Sequence, residues 1–337
     1  VIKKLSFLLV VLFLCVAGTY FYVQSEVNSY LSQPLKIEEP QIVTIQSGTS
    51  LNRAMSMLVE KNWIETTPFT SLIHRLHPEL AGLKAGTFQL TPDMTLNQAL
   101  NLVISGKEHQ FAITFVEGSR FSEWRDILTN NPYLKHTLDG VSEKEIAQKL
   151  GIERDKLEGL FLAETYHFTH GASDLDILKR AHVKLNDILT AEWDKRQTGL
   201  PLKSSYEALI LASIIEKETA VEDERTQISS VFVNRLNKRM RLQTDPTVIY
   251  GMGENYDGNI RKKDLKAPTP YNTYVIFGLP PTPIAMAGPA SINAALNPDQ
   301  SSYLYFVASG NGGHVFSKTL AEHNRAVRAY LKQIRNQ

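Results

Sequence analysis

Two glutamates stand two residues apart in "ASIIEKETA" (212–220), at the end of an apolar run. Residues i and i+2 of a helix point to different sides, so at most one of the pair follows the apolar face. The segment from Glu207 to Ala220 has the composition of a helix, rich in Ala, Leu, Ile, Glu and Lys and without Gly or Pro. Taking Leu211 as zero and ~100° per residue, Ile214 falls at about 300°, Ile215 at about 40° and Glu218 at about 340°, between them. Glu216 falls at about 140°, which predicts that it faces solvent. A carboxyl in an apolar setting loses the solvation of its charged form, so its pKa rises. Glu218 is then fitted to donate a proton near neutral pH, as a general acid does when a glycosidic bond is cleaved. The competing reading is a helix-end ion pair between Glu218 and Arg225 or another cation.

The elements that must position these residues belong to a chain of 337 residues, long enough for two or more domains. Hydrophobic residues make up 43% and charged residues 21%, which provides a sizeable core. Lys plus Arg number 36 against 35 Asp plus Glu, a balance that argues against a nucleic-acid partner. Cys15 is the single cysteine, so neither an internal disulfide nor a zinc site built on cysteine pairs is available.

Lys3 and Lys4 precede an uncharged run, Leu5 to Val23. At ~1.5 Å per residue this run is about 28 Å long as a helix, the depth of a bilayer's hydrocarbon core. Tyr20 and Tyr22 stand at its far end, where aromatic side chains favour the interface, and the lysines predict a cytoplasmic N-terminus. "VAG" at 16–18 is a small-residue pattern that a signal peptidase could cut, but the apolar run continues past it. The sequence therefore divides into a cytoplasmic tail (1–4), a transmembrane helix (5–23), a polar linker with Pro34 and Pro40 (24–40), a small module (41–110) and a larger domain (111–337).

Within the small module "SLNRAMSMLV" (50–59) and "TLNQALNLVI" (95–104) align position by position, each after a strand-like stretch. Ser50 and Thr95 are natural N-caps, so a strand–turn–helix unit is used twice. "VTIQSGTSLNRAM" resembles the opening of LysM modules, which bind peptidoglycan glycan chains. In the larger domain "FAITFVEG" reads as a strand ending at Gly118, Ser142 with Glu145 as a capping box closed by Gly151, and His182 as a packed histidine on a helical stripe. "HRLH" (74–77) reads as a helix surface, and a last helix spans about Leu320 to Ile334. Strands and helices mix without βαβ alternation, so the expected class is α+β.

Several long blocks carry a more specific signal: "LASIIEKETAVEDERTQISSVFVNRL", "MRLQTDPTVIYGMG", "YNTY", "GLPPTPIAMAGPASINAALNP" and "YLYFVASGNGGHVFSKTLAEHN". Together, from about Gly159 to Asn324, they resemble the endolytic murein transglycosylases, the YceG-like (MltG) family. The resemblance implies that the second glutamate of "EKE", Glu218, is catalytic. It implies cleavage of the β-1,4 bond between N-acetylmuramic acid and N-acetylglucosamine within strands, leaving a 1,6-anhydro end and terminating strand elongation. It also implies a single-pass protein of the cell inner membrane with its catalytic domain outside the cytoplasm, glycan strands as substrate, and peptidoglycan synthases as candidate partners. "EGLFLAETYHF" departs from the family pattern at Ala163, where a proline is expected, which leaves Glu164 without an assigned role.

Gln243, Thr244 and Asp245 precede Pro246 in an extended or turning segment. Their polar groups suit sugar hydroxyls and N-acetyl groups, or else the loop's own backbone. Tyr271, Asn272 and Tyr274 suit stacking on and bonding to sugar rings, or else packing of an aromatic loop. His314, His323 and Asn324 are further candidate substrate contacts. The two histidines are nine apart and "HExxH" is absent, so no metal is expected, and no cofactor. Two other functions fit the same residues: a muramidase that hydrolyses the same bond, and a non-enzymatic glycan-binding scaffold of the cell-wall machinery.

Overall fold

A computed structural model describes residues 2–335; Val1 of the expected tail and Asn336 and Gln337 of the expected larger domain lie outside the described residues. Among the described residues the fold is mixed α/β with three two-stranded sheets. The chain divides into two compact units, residues up to 111 together with 167–170, and residues 112–166 together with 171 onward.

The first unit opens with α1 (Ile2–Leu31), long and apolar enough to cross a membrane, which fits a single-pass anchor or a signal sequence. Its first turns expose their apolar side chains, whereas Val27 and Leu31, one turn apart, are buried. The helix runs past Val23 because no Gly or Pro follows until Pro34. The segment expected as a linker over 24–40 is therefore helical as far as Leu31. Beyond it Leu35 and Ile37 are also buried, with Leu35 N donating to Met94 O and Lys36 N to Trp63 O. Polar composition concealed these apolar contacts.

Next come β1 (Gln41–Ile45), α2 (Leu51–Glu60), α3 (Thr70–Leu76), β2 (Gly86–Leu90) and α4 (Leu96–Ser105). β1 and β2 pair antiparallel, Val43 opposite Phe88, and their buried side chains meet the apolar faces of α2 and α4. Both repeat helices carry the expected caps: Ser50 Oγ accepts from Arg53 N, and Thr95 forms a reciprocal box with Gln98. His74 on α3 is exposed, and His77 just beyond it bonds Glu79.

The chain continues through β3 (Phe111–Thr114), α5 (Phe121–Thr129), α6 (Glu143–Leu150), β4 (Thr165–Phe168) and α7 (Asp174–Asp194). The Ser142–Glu145 box opens α6 and Gly151, at φ 72°, closes it. His182 on α7 is packed, its Nδ1 at 2.8 Å from Leu160 O and its Nε2 at 3.0 Å from Asn186. Glu164 pairs with Lys184. The strand expected to reach Gly118 stops at Thr114. Gly118 instead takes a φ of 76° and donates to Met286 O, tying this turn to residues 284–288.

The remaining elements are α8 (Ser205–Glu218), α9 (Arg225–Asn237), α10 (Asp245–Met252), α11 (Pro289–Leu296), β5 (Tyr305–Ala308), β6 (His314–Ser317) and α12 (Leu320–Arg335). α8 packs against α7, α9, α10 and α11. Every residue from Ala208 to Ile215 is buried, so α8 is a central helix and not the one-faced helix that phase arguments assumed. It ends at Glu218 because Thr219 is extended and its hydroxyl accepts from Val221 N.

Segment 283–288 is pinned against α8: Ile284 N donates to Ser213 Oγ and Gly288 N to Glu216 Oε2, both at 3.0 Å. Across from it Gly159 has φ 76°, and a Cβ there would lie 2.3 Å from Pro283 Cβ. Neither a left-handed backbone nor a proline ring yields easily. Gly159→Ala should therefore lower the unfolding free energy by about 2–5 kcal/mol. Urea titration checks this, and a loss within error would show that the segment is loosely held.

Candidate active site

Glu218 is the last residue of α8 and is half-buried. Its carboxyl accepts a hydrogen bond from the Thr244 hydroxyl. Burial pushes its pKa up to about 7, and the nearby Asp245 adds to the rise, while the Thr244 bond and His314 oppose it. A carboxylate at a helix C-terminus also meets the negative end of the helix dipole, which works in the same direction as burial.

Thr244 is fixed by a buried cluster of hydroxyls. Its N–H donates to Thr273 Oγ1 at 3.0 Å, Thr247 Oγ1 donates to Thr244 O at 2.7 Å, and the Thr247 and Thr273 hydroxyls lie 2.8 Å apart. Thr244 stands at the N-cap position of α10 with its hydroxyl turned to Glu218, which places Asp245 in the first turn beside Glu218. Tyr274 Oη donates to Asp245 Oδ1 at 2.6 Å. Gln243, at φ 53°, turns the chain into this arrangement while its N–H donates to Thr273 O.

These groups open onto a pocket of about 440 Å³ lined by Glu218, Arg235, Gln243, Asp245, Tyr274 and His323, with Leu242, Tyr305, Phe306, Val307 and Leu320 as its apolar wall. Of the residues singled out from the sequence, Glu218, Gln243, Asp245, Tyr274 and His323 thus converge, and Thr244 bonds one of them. His314 is held on Glu224, its Nδ1 2.7 Å from Oε2 and its N–H donating to Oε1, near enough to act on Glu218 electrostatically.

Three candidates are not brought to the pocket. Asn272 is 1% exposed, and its amide donates to Asp264 O and Ala267 O while its Oδ1 accepts from Tyr274 N, so it serves its own loop. Tyr271 bonds Thr282 and packs its ring 4.8 Å from Tyr250. Asn324 is exposed on α12, outside the lining. The expectation that Glu216 faces solvent is corrected as well: it is half-buried and accepts from Gly288 N, the N-cap of α11. Ala208 to Ile215 of α8 are buried all round, and Glu216 follows directly after them against the head of α11. Among the described residues no group of three or more His, Cys, Asp or Glu could hold a metal ion.

The sequence reading missed Arg235, Tyr305 and Glu158. Arg235 is a lone cation in the apolar run "VFVNRL", a signal that was there to be used. Glu158 opens the "EGLFLAETYHF" block and is buried, its Oε1 accepting from Phe121 N at 3.0 Å. Burial raises its pKa to about 7 against bonds from Phe121 and Tyr250 and the charge of Arg120.

The sequence model of the YceG-like family matches residues 43–329. The chain belongs to the YceG-like family. It is 32% identical to a Bacillus subtilis (strain 168) protein named endolytic murein transglycosylase, over 94% of this chain and 91% of that one. It is 24% identical to a protein of the same name from Streptococcus pneumoniae serotype 2 (strain D39 / NCTC 7466), over 96% of this chain but only 64% of the pneumococcal length. A crystal structure of a yceG-like protein from Listeria monocytogenes is similar at a TM-score of 0.54 and 32% identity, covering 86% of this chain and 99% of that one.

Glu158 of this YceG-like chain gives a test that is independent of any reaction. A carboxyl whose folded pKa is raised contributes stability that is fully present below its unfolded pKa and is lost as pH rises through about 7. Glu158→Gln removes that titration. Between about pH 4 and pH 8 the variant's unfolding free energy should gain about 3 kcal/mol relative to the wild type. A gap that stays constant over this range would mean that the carboxyl titrates normally.

Proposed function

We propose that this chain is a membrane-anchored endolytic transglycosylase of peptidoglycan, with Glu218 as its acid and base. The chain is a lyase on murein, the activity that goes with relatives named endolytic murein transglycosylase. The observation that carries the reading is the Glu218 carboxyl, raised to about 7, at the wall of a cleft that it shares with Asp245 and with aromatic groups. At neutral pH such a group is part protonated and part ionised, so one residue can give a proton and take one back.

The reaction follows from that capacity. Glu218 protonates the bridging oxygen as the bond from C1 of N-acetylmuramic acid to O4 of N-acetylglucosamine breaks. The ionised Glu218 then takes the proton of the C6 hydroxyl while O6 attacks C1, closing the 1,6-anhydro ring. No water enters, and the carboxyl ends protonated as it began. Asp245 and Tyr274 bind the sugar beside the cleavage point, Gln243 and His323 complete the contacts, and Thr244 and His314 act through Glu218. Asp245 also supports a second reading, because a carboxylate next to the acid can direct a water molecule to C1, giving muramidase products.

α1 serves as a single-pass anchor with Lys3 and Lys4 on the cytoplasmic side and the remainder outside. Held at the inner membrane, the enzyme meets strands as they emerge from peptidoglycan synthases and cuts them, which ends their elongation. Residues 41–110 act as a LysM-like module that steadies the glycan, and residues 111–337 as the catalytic domain. In the module a groove of about 640 Å³ bordered by Gln46, Ser47, Thr49, Arg53 and Lys61 suits a polar polymer.

Glu218→Gln keeps shape and a hydrogen-bond acceptor for Thr244 but cannot exchange the proton. It should lower cleavage of purified peptidoglycan by ~10²–10⁴ or more while leaving folding intact. Glu216→Gln, which retains an acceptor for Gly288, should stay within a few-fold of wild type. Mass spectrometry of wild-type products should show ends lacking one water. Ends carrying that water would establish the muramidase reading, and full activity of Glu218→Gln would end both.

A further inference from the structure

Arg235 is only 7% exposed, yet it lies in the wall of the pocket. Its Nε donates to Leu304 O at 2.6 Å and its Nη1 to Leu242 O at 2.8 Å and Arg241 O at 3.2 Å, with Gln243 Oε1 at 3.4 Å. These are neutral acceptors. A buried guanidinium ordinarily faces a carboxylate, and among the described residues none forms an ion pair with this one. Its Nη2 has no partner among them and is not one of the buried unpartnered atoms, so it reaches open space.

His323 borders the same space. Its ring stacks on Tyr305, centroids 5.2 Å apart, and the Arg235 guanidinium lies 5.0 Å from the same tyrosine ring. The His323 Nδ1 is buried without a partner. Burial, and then the charge of Arg235, hold the imidazole below the usual histidine pKa. Its Nε2 has no partner among the described residues and is not one of the buried unpartnered atoms, so it is the ring nitrogen that can donate into the pocket. Tyr305, Phe306 and Leu320 add an apolar wall. An uncompensated cation, a second free donor and an apolar side together fit an anion of fork geometry on a short carbon chain.

We propose that Arg235 and His323 form a carboxylate-binding subsite that takes a carboxylate carried by the muramic acid residue of the strand. This rests on the proposed function. The carboxylate can come from an amino acid of an attached peptide stem or, on a stem-free sugar, from the lactyl ether. N-acetylglucosamine carries none, so the subsite would set the strand's register and distinguish murein from uncharged glycans.

The test uses the full chain in detergent and three preparations of soluble strands: stems intact, stems removed by an amidase, and stems removed with the lactyl carboxylates then converted to primary amides. Dissociation constants are measured for each alongside cleavage. The wild type should bind at least one carboxylate-bearing preparation about 10–100-fold more tightly than the amidated strands, the energy of a charged hydrogen-bonded contact. Whichever preparation binds more tightly identifies the source. His323→Phe, which keeps the stack on Tyr305, and Arg235→Gln should lose most of this preference, bringing the three preparations to similar dissociation constants. Arg235→Lys should keep part of it, and it stands in should Arg235→Gln fail to fold. Equal binding of all three preparations by the wild type, or an unchanged preference in His323→Phe together with Arg235→Lys, would overturn the subsite. Absence of cleavage in every arm with the binding preference retained would overturn the transglycosylase reading and leave the subsite standing.

Discussion

A carboxyl withdrawn from water has two stable states: neutral, or charged with a partner close by. Glu218 is held between them. Burial and the carboxylate of Asp245 favour the neutral form, and the Thr244 hydroxyl with the charge of His314 favours the ionised one. The surrounding loops maintain that balance. Three threonines tie residues 244 and 247 to 273, Asn272 braces the same loop from beneath, and Arg235 binds the carbonyls of 241, 242 and 304 to α9.

The burial of α8 on all sides gives this arrangement its rigidity. A helix with other helices around its whole circumference cannot slide or tilt without opening the core. Its two glutamates are therefore placed by the same constraint for separate ends. Glu216 holds Gly288 at the head of α11, and Glu218 projects into the cleft. The loops that line the cleft are anchored to this fixed element, so polar groups on irregular backbone still keep defined positions.

How far the fold was legible in the sequence depended on how local its causes were. The caps at Ser50, Thr95 and Ser142 and the left-handed glycine at 151 were readable because each depends on residues within one turn. The two strand–helix repeats were readable from their own alignment. The fate of Glu216 was not, because a 3.6-residue period reports one apolar face and α8 has none to spare. Asn272 looked like a ligand-binding amide since polarity alone cannot tell a sugar from a backbone carbonyl five or eight residues away. The meeting of Arg235 and His323 at the Tyr305 ring was hidden by a sequence separation of 88 positions, which only tertiary structure closes. Residues 24–40 misled for a different reason: polar composition masked Val27, Leu31, Leu35 and Ile37, whose spacing brings them into the core of the first unit.

The central claim is that the fold keeps Glu218 in an environment where it is half protonated near neutral pH. The most direct measurement is a carbon-13 NMR titration of glutamate side-chain carboxyls, with the Glu218 signal assigned by its disappearance in Glu218→Gln. The account predicts a carboxyl titrating at about 7. A Glu218 signal that titrates near the ordinary glutamate value of about 4.3 would contradict it.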